Sequence, residues 1–105
     1  MSLYVFSTEA ENDLMEIYRY GFLNYGENKA DLYINALKEQ CRFLSCNPFI
    51  CRERKKLIPP VRIYHHKKHL IIYTIEVDYI LIVRICHERM DIYSAQPFLR
   101  KIHCV

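Results

Sequence analysis

Arg62, Tyr64, His66, His69, Tyr73, Arg84 and His87 fall in one stretch of the chain whose apolar runs read as sheet. Arginine forks hold a phosphate or carboxylate through two bonds, histidine moves a proton near neutral pH, and tyrosine serves as a weak acid. One chemistry open to the set Arg62, Tyr64, His66, His69, Tyr73 and Arg84 is metal-free RNA cleavage. There a base takes the 2′-hydroxyl proton, arginines hold the pentavalent phosphate, and an acid protonates the leaving oxygen. The other is binding of a carboxylate-rich peptide, with Arg62, Tyr64, His69, Tyr73 and Arg84 as contacts. Residue types and spacing favour binding over catalysis.

Each of these residues also has a plainer role. Arg84 at a strand end suits an ion pair with Glu88 or Asp91, His69 suits a turn, and Tyr73 suits packing against Ile71 and Ile82. The run His65-His66-x-x-His69 suggests a metal, but strand alternation sends His65 and His66 to opposite faces, so neither metal nor cofactor is expected. The chain has no glycine-rich phosphate loop, no G-x-S-x-G, no H-E-x-x-H and no cysteine in a convincing His/Asn arrangement. Cys41, Cys46, Cys51, Cys86 and Cys104 show no zinc spacing and read as reduced, mostly buried thiols.

The positioning elements follow from periodicity. Leu3 to Phe6 reads as a short strand, and Thr8-Glu9-Ala10-Glu11 has the form of a capping box. Ala10, Leu14, Ile17, Tyr18, Gly21, Phe22 and Tyr25 make the stripe of a helix from about residue 9 to 24. After Gly26 a second stripe, Ala30, Tyr33, Ile34, Leu37, Cys41 and Leu44, stops near Asn47 because Pro48 excludes helical geometry before it. The tyrosines of these stripes, Tyr18, Tyr25 and Tyr33, read as core or groove lining. Residues 49–60 form a charged connector ending in Pro59-Pro60, and 61–66, 69–76 and 79–86 are strands of an antiparallel meander.

Two short turns set the register. Arg62 should face Tyr73 and Tyr73 should face Ile82, while Tyr64 faces Ile71 and Ile71 faces Arg84. A four-residue loop from Glu76 to Tyr79 gives the same pairing without positive φ at a β-branched residue. The face so built carries Arg62, Tyr64, His66, His69, Tyr73 and Arg84, and alternation sends His87 to the other side. The opposite face, with Leu70, Ile72, Leu81, Val83 and Ile85, is apolar enough to take the helical hairpin. The tail from Asp91 is weakly patterned, with Pro97 against a continuous helix.

At 105 residues the chain predicts one domain, residues 1–105, that buries roughly two thirds of its unfolded surface. A hydrophobic share of 51% with only two glycines and four prolines argues against disorder. No stretch resembles a signal peptide or a membrane span, which predicts a cytoplasmic protein without a membrane partner. The net charge of +3 is uneven. Arg52, Arg54, Lys55, Lys56, Arg62, Lys67 and Lys68 make the middle basic, whereas carboxylates crowd the first half, so an anionic partner is permitted. A helix-turn-helix reading of the first half is possible in length but is disfavoured because both helices carry acidic exposed faces.

In order, Ala10-Glu11-Asn12-Asp13-Leu14-Met15-Glu16-Ile17-Tyr18, Leu44-Ser45-Cys46-Asn47-Pro48, Arg62, His69-Leu70-Ile71-Ile72-Tyr73 and Ile82-Val83-Arg84-Ile85-Cys86-His87-Glu88-Arg89-Met90-Asp91 resemble the ParE branch of the RelE/ParE superfamily of bacterial type II toxins. The resemblance covers about residues 4–92. It implies an α+β fold in which an N-terminal strand and an antiparallel helical hairpin pack on a three- to four-stranded, mainly antiparallel sheet. It also implies a growth-inhibiting toxin, neutralised by a small acidic or amphipathic antitoxin. ParE-like members poison DNA gyrase and would not be enzymes, whereas RelE-like members cut mRNA on the ribosome. Arg62 and Arg84 match basic sheet positions of the superfamily, and His87 falls where its nuclease branch often keeps a catalytic or substrate-contacting residue. The form R-I-x-H-x-x-M-D is closer to the ParE branch, which favours gyrase over RNA. Cys51-Arg52, Pro59-Pro60 and Lys67-Lys68 depart from the family pattern in loops. The alternatives that the resemblance leaves are a ribosome-dependent, metal-free mRNA endonuclease using Arg62, Arg84 and His87 or Tyr73, the one reading with direct nucleic-acid contact, and an inactive relative that only binds antitoxin.

Overall fold

The computed structural model describes residues 3–55, 57–58, 60–90 and 100–101. Lys56, Pro59 and the tail residues 91–99 and 102–105, Pro97 and Cys104 among them, lie outside these residues. Strand β1 (Tyr4–Phe6) leads into helix α1 (Thr8–Tyr25), a break at Gly26, and helix α2 (Glu27–Cys46). Short strands β2 (Glu53–Arg54) and β3 (Leu57–Ile58) precede the meander β4 (Val61–His66), β5 (His69–Ile75) and β6 (Ile80–His87). A final pair of residues, β7 (Arg100–Lys101), is antiparallel to β3.

The main sheet runs β1-β6-β5-β4-β2, with β1 parallel to β6 and every other pair antiparallel. Its fifth strand comes from the connector, where Glu53 and Arg54 pair with Arg62 and Val61. The hairpin is tight for two local reasons. Gly26 takes φ 90°, a region open to glycine, and its N–H caps the Phe22 carbonyl. Gly21 lies so close to Ala30 that a Cβ there would meet the Ala30 Cβ at 3.4 Å. The α1 cap is Ser7, not Thr8: the Ser7 hydroxyl accepts from the Ala10 N–H at 3.0 Å and donates to the Val83 carbonyl at 2.7 Å.

Both turns keep the expected pairing, Arg62 with Tyr73, Tyr64 with Ile71, and Tyr73 with Ile82. The expected pair of Ile71 with Arg84 does not form. A bulge leaves Val83 unpaired, so Arg84 stands opposite Ile72 and Ile85 opposite Ile71. Everything after the bulge changes face, which sets His87 beside His69 rather than behind the sheet. The bulge lies where β1 has ended, and the outer edge of β6 is taken over by Ser7 and Asp13: Ser7 N–H bonds the Ile82 carbonyl, and Asp13 Oδ2 accepts the Ile85 N–H.

The hairpin also covers the face opposite to the one expected. Ala10, Leu14, Leu37, Cys41 and Leu44 pack with Ile71, Tyr73, Ile80, Ile82 and Ile85, whereas Val61, Ile72 and Cys86 form a smaller cluster on the other side with Ile63 and Val83. Counting apolar residues picks the wrong face because a tyrosine buries its ring once its hydroxyl has an acceptor. Tyr73 is fully buried and donates to the Pro48 carbonyl at 2.8 Å; Tyr64 donates to Gln40 Oε1 at 2.9 Å. Cys41 and Cys86 are buried thiols, pushed by desolvation up to about 12 and about 11, which makes them inert packing groups.

Ser7 ties the start of α1 to the bulge, so Ser7→Ala removes a helix cap and a donor to Val83 together. The expected loss is about 2 kcal/mol in urea unfolding with an unchanged slope.

Candidate functional site

The turn end of the hairpin, around Gly26, and the β4–β5 turn end of the sheet enclose a cleft of about 700 Å³. Ile17, Tyr20, Tyr25, Ala30 and Tyr33 supply its helical walls, and His69, Arg84, Ile85 and His87 its sheet wall. Lys29, Lys67 and Lys68 stand at the cleft with Glu16 and Asp13. A cleft of this size, mostly apolar with a few charged groups, fits a peptide segment or small ligand. Lys67 is held over it by the β4–β5 turn at φ 52°, with Nζ 5.9 Å from the centre of the Tyr33 ring.

Tyr33 joins the two walls. Its hydroxyl lies 2.5 Å from His69 Nδ1, and the His69 ring meets the His87 ring edge-on with centroids 5.6 Å apart. Burial, then the neighbouring His87 and His66, push His69 down to about 4, so it is neutral at pH 7. A neutral ring makes Nδ1 the acceptor of the Tyr33 proton and leaves its own proton on Nε2. His66 is also lowered, by burial first and then by Lys67 and His65, and its Nε2 is buried without a hydrogen-bond partner among the described residues. His65 points away, 2.8 Å from Glu88 Oε2. His65 thus stands apart from His66 and His69, and no group of three or more metal-binding side chains forms among the described residues.

The chemical set read from the sequence is split between internal duties. Arg84 grips Asp13 with two parallel bonds, Nε to Oδ2 at 2.7 Å and Nη2 to Oδ1 at 2.9 Å, with both side chains less than a fifth exposed. That bond holds the guanidinium above its ordinary range. The carboxylate is Asp13 on α1 and not Glu88, which serves His65; Asp91 lies outside the described residues. Arg62 donates to the Cys51 carbonyl at 2.6 Å and lies over the Phe49 ring at 5.2 Å. Tyr73 is sealed under the connector, and burial raises its hydroxyl further above the ordinary tyrosine value. Of the residues considered for catalysis, Arg84 and His87 line the cleft while Arg62 and Tyr73 do not. Of those considered for partner contact, His69 and Arg84 line it, and Tyr64 is half-buried against α2. Tyr25 and Tyr33, expected as core or groove lining, line the cleft; Asp13 carries no functional expectation in the sequence, where the stripe Asp13, Ile17, Gly21 on the flank of α1 is the available signal.

The profile of the family described as "ParE toxin of type II toxin-antitoxin system, parDE" matches residues 4–92. The chain belongs to this toxin family. A similar protein, "Toxin ParE" of Escherichia coli, is 29% identical over 95 residues, covering 90% of this chain and 92% of the relative. A similar solved structure, "Chromosomal ParDE TA system from P. aeruginosa", superposes with a TM-score of 0.68 at 25% identity, over 83% of this chain and 95% of that one. The α+β fold expected from the resemblance is thus the fold observed, and the chain is a ParE-type toxin of a type II toxin–antitoxin system.

The depressed His69 gives this ParE-family cleft an acid limit. An unfolded histidine takes its proton near 6.5 while the folded one resists to about 4, so the unfolded state binds more protons between those values. Stability should fall as pH drops from about 6.5 toward 4, and His69→Gln should remove part of that slope in urea unfolding followed across the range.

Proposed function

We propose that this toxin acts in the cytoplasm, stops growth by inhibiting DNA gyrase, and is held inactive by a small antitoxin segment seated in the cleft. The observation that carries a binding mechanism over RNA cleavage is the internal use of the candidate catalytic groups. Tyr73 donates to a backbone carbonyl in the core, and Arg84 is closed on Asp13. Neither is placed to hold a phosphate or pass a proton without unmaking the fold. The kinship with ParE toxins supports gyrase as the target through what the resemblance implies.

For the antitoxin, the cleft favours an amphipathic, acidic segment. Its apolar side would lie on Ile17, Tyr20 and Tyr33, and its carboxylates would meet Lys29, Lys67 and Lys68. His69 and Arg84 border the same seat, with Arg62, Tyr64 and Tyr73 shaping the sheet end from which it continues.

Purified gyrase supercoiling a relaxed plasmid tests this directly. The toxin should stop supercoiling, added antitoxin should restore it, and translated mRNA should stay intact. Unimpaired supercoiling with cleaved mRNA would replace the proposal by the endonuclease reading. Expression that causes no growth arrest would leave a relative that only binds antitoxin.

A further inference from the structure

The basic run of the connector has no role in the cleft. β2 forms the outer edge of the main sheet beside β4, so Arg52, Arg54 and Lys55, all exposed, flank Arg62 at that edge. Among the described residues the side-chain ion pairs are Arg42 with Glu39, His65 with Glu88, and Arg84 with Asp13. None of the four edge cations takes part in them. Glu53, opposite Arg62 in the register, is the one carboxylate within the run. Arg62 spends a single donor on the Cys51 carbonyl, and a guanidinium carries five. Beside it, Phe49 and Ile50 are 73% and 55% exposed, an apolar pair with cations next to it.

Charge on the rest of the molecule orients this edge. The hairpin exposes Glu9, Glu11, Glu16, Glu27, Asp31 and Glu39, so an extended polyanion is repelled from the helices and drawn to the connector. Unpaired cations beside an exposed phenylalanine and isoleucine are the combination that holds phosphates while an apolar wedge enters a groove. An acidic peptide is already served by the lysines of the cleft.

We propose that the β2–β4 edge is a docking surface for duplex DNA. Arg52, Arg54, Lys55 and Arg62 contact backbone phosphates, and Phe49 with Ile50 rests in the adjoining groove. The choice of DNA among polyanions rests on the gyrase reading, since DNA is the substrate that gyrase holds. No bond is made or broken, and the contact differs from the RNA cleavage considered above.

Fluorescence anisotropy of the full chain with a short labelled duplex, without gyrase, tests it. Four phosphate contacts predict affinity falling roughly 100-fold between about 50 and about 200 mM salt. The triple variant Arg52→Ala, Arg54→Ala, Lys55→Ala should bind at least about tenfold more weakly at low salt and show about a quarter of the salt slope, with antitoxin binding and unfolding midpoint unchanged. Phe49→Ala should weaken binding and leave the slope intact. The proposal is overturned if the chain shows no salt-dependent DNA binding, or if the triple variant binds as the parent does. It is equally overturned if Lys67→Ala with Lys68→Ala costs as much, or if polyglutamate of equal charge binds more tightly than the duplex, which would mark an acidic-protein surface. Because gyrase is absent from the assay, its failure is separate from a failure of the supercoiling test.

Discussion

Asp13 is the point at which the helical and sheet halves of the molecule are locked. Its carboxylate accepts two bonds from Arg84 and one from the Ile85 N–H, and so closes the edge of β6 that β1 leaves open after Phe6. Bidentate ion pairs repay the desolvation of two charges only when the remaining lone pairs are also used, and here the backbone amide uses one. The bulge at Val83 follows from the same contacts, because Ser7 and Asp13 take the backbone groups on either side of it. Once β6 is bulged, Ile85 enters the core under the helices and His87 turns toward His69. The sheet wall of the cleft is therefore a consequence of Asp13 on α1 together with its cap Ser7.

The polar residues divide into two populations by what they touch. Arg84, Tyr64 and Tyr73 satisfy groups within the fold, and that satisfaction lets the hairpin cover the more polar face of the sheet. Lys29, Lys67 and Lys68 at the cleft, and Arg52, Arg54 and Lys55 on the connector, have no carboxylate partner among the described residues. These cations are available for partners, while the side chains with the most suggestive chemistry are occupied. A protein that works by binding shows this division, since its recognition groups must stay exposed while its buried polar groups are paired.

Much of this was legible in the sequence. The helical stripes, the break at Gly26, the stop at Pro48 and the two turns all follow from local periodicity and backbone sterics, and they fix the register as far as Tyr73 and Ile82. The bulge was not legible, because Val83 carries no glycine or proline signal and its cause lies in Ser7 and Asp13, more than seventy residues earlier. The face covered by the helices was misread for a related reason. Apolarity counts treat tyrosine as half polar, yet Tyr73 is fully buried once Pro48 supplies an acceptor. Candidate chemistry read from residue types suffered most, since whether an arginine is free depends on a distant aspartate.

The claim that Arg84 is a structural partner of Asp13, and not a contact for phosphate or target, is open to one direct measurement. A double-mutant cycle over Asp13→Ala and Arg84→Ala, read by urea unfolding alongside growth arrest on expression, isolates their coupling. The account predicts that each single change costs about 3 kcal/mol, that the double change costs little more than either, and that growth arrest falls only as the folded fraction falls. An Arg84→Ala chain of full stability that no longer arrests growth would contradict it, and would return Arg84 to the site of action.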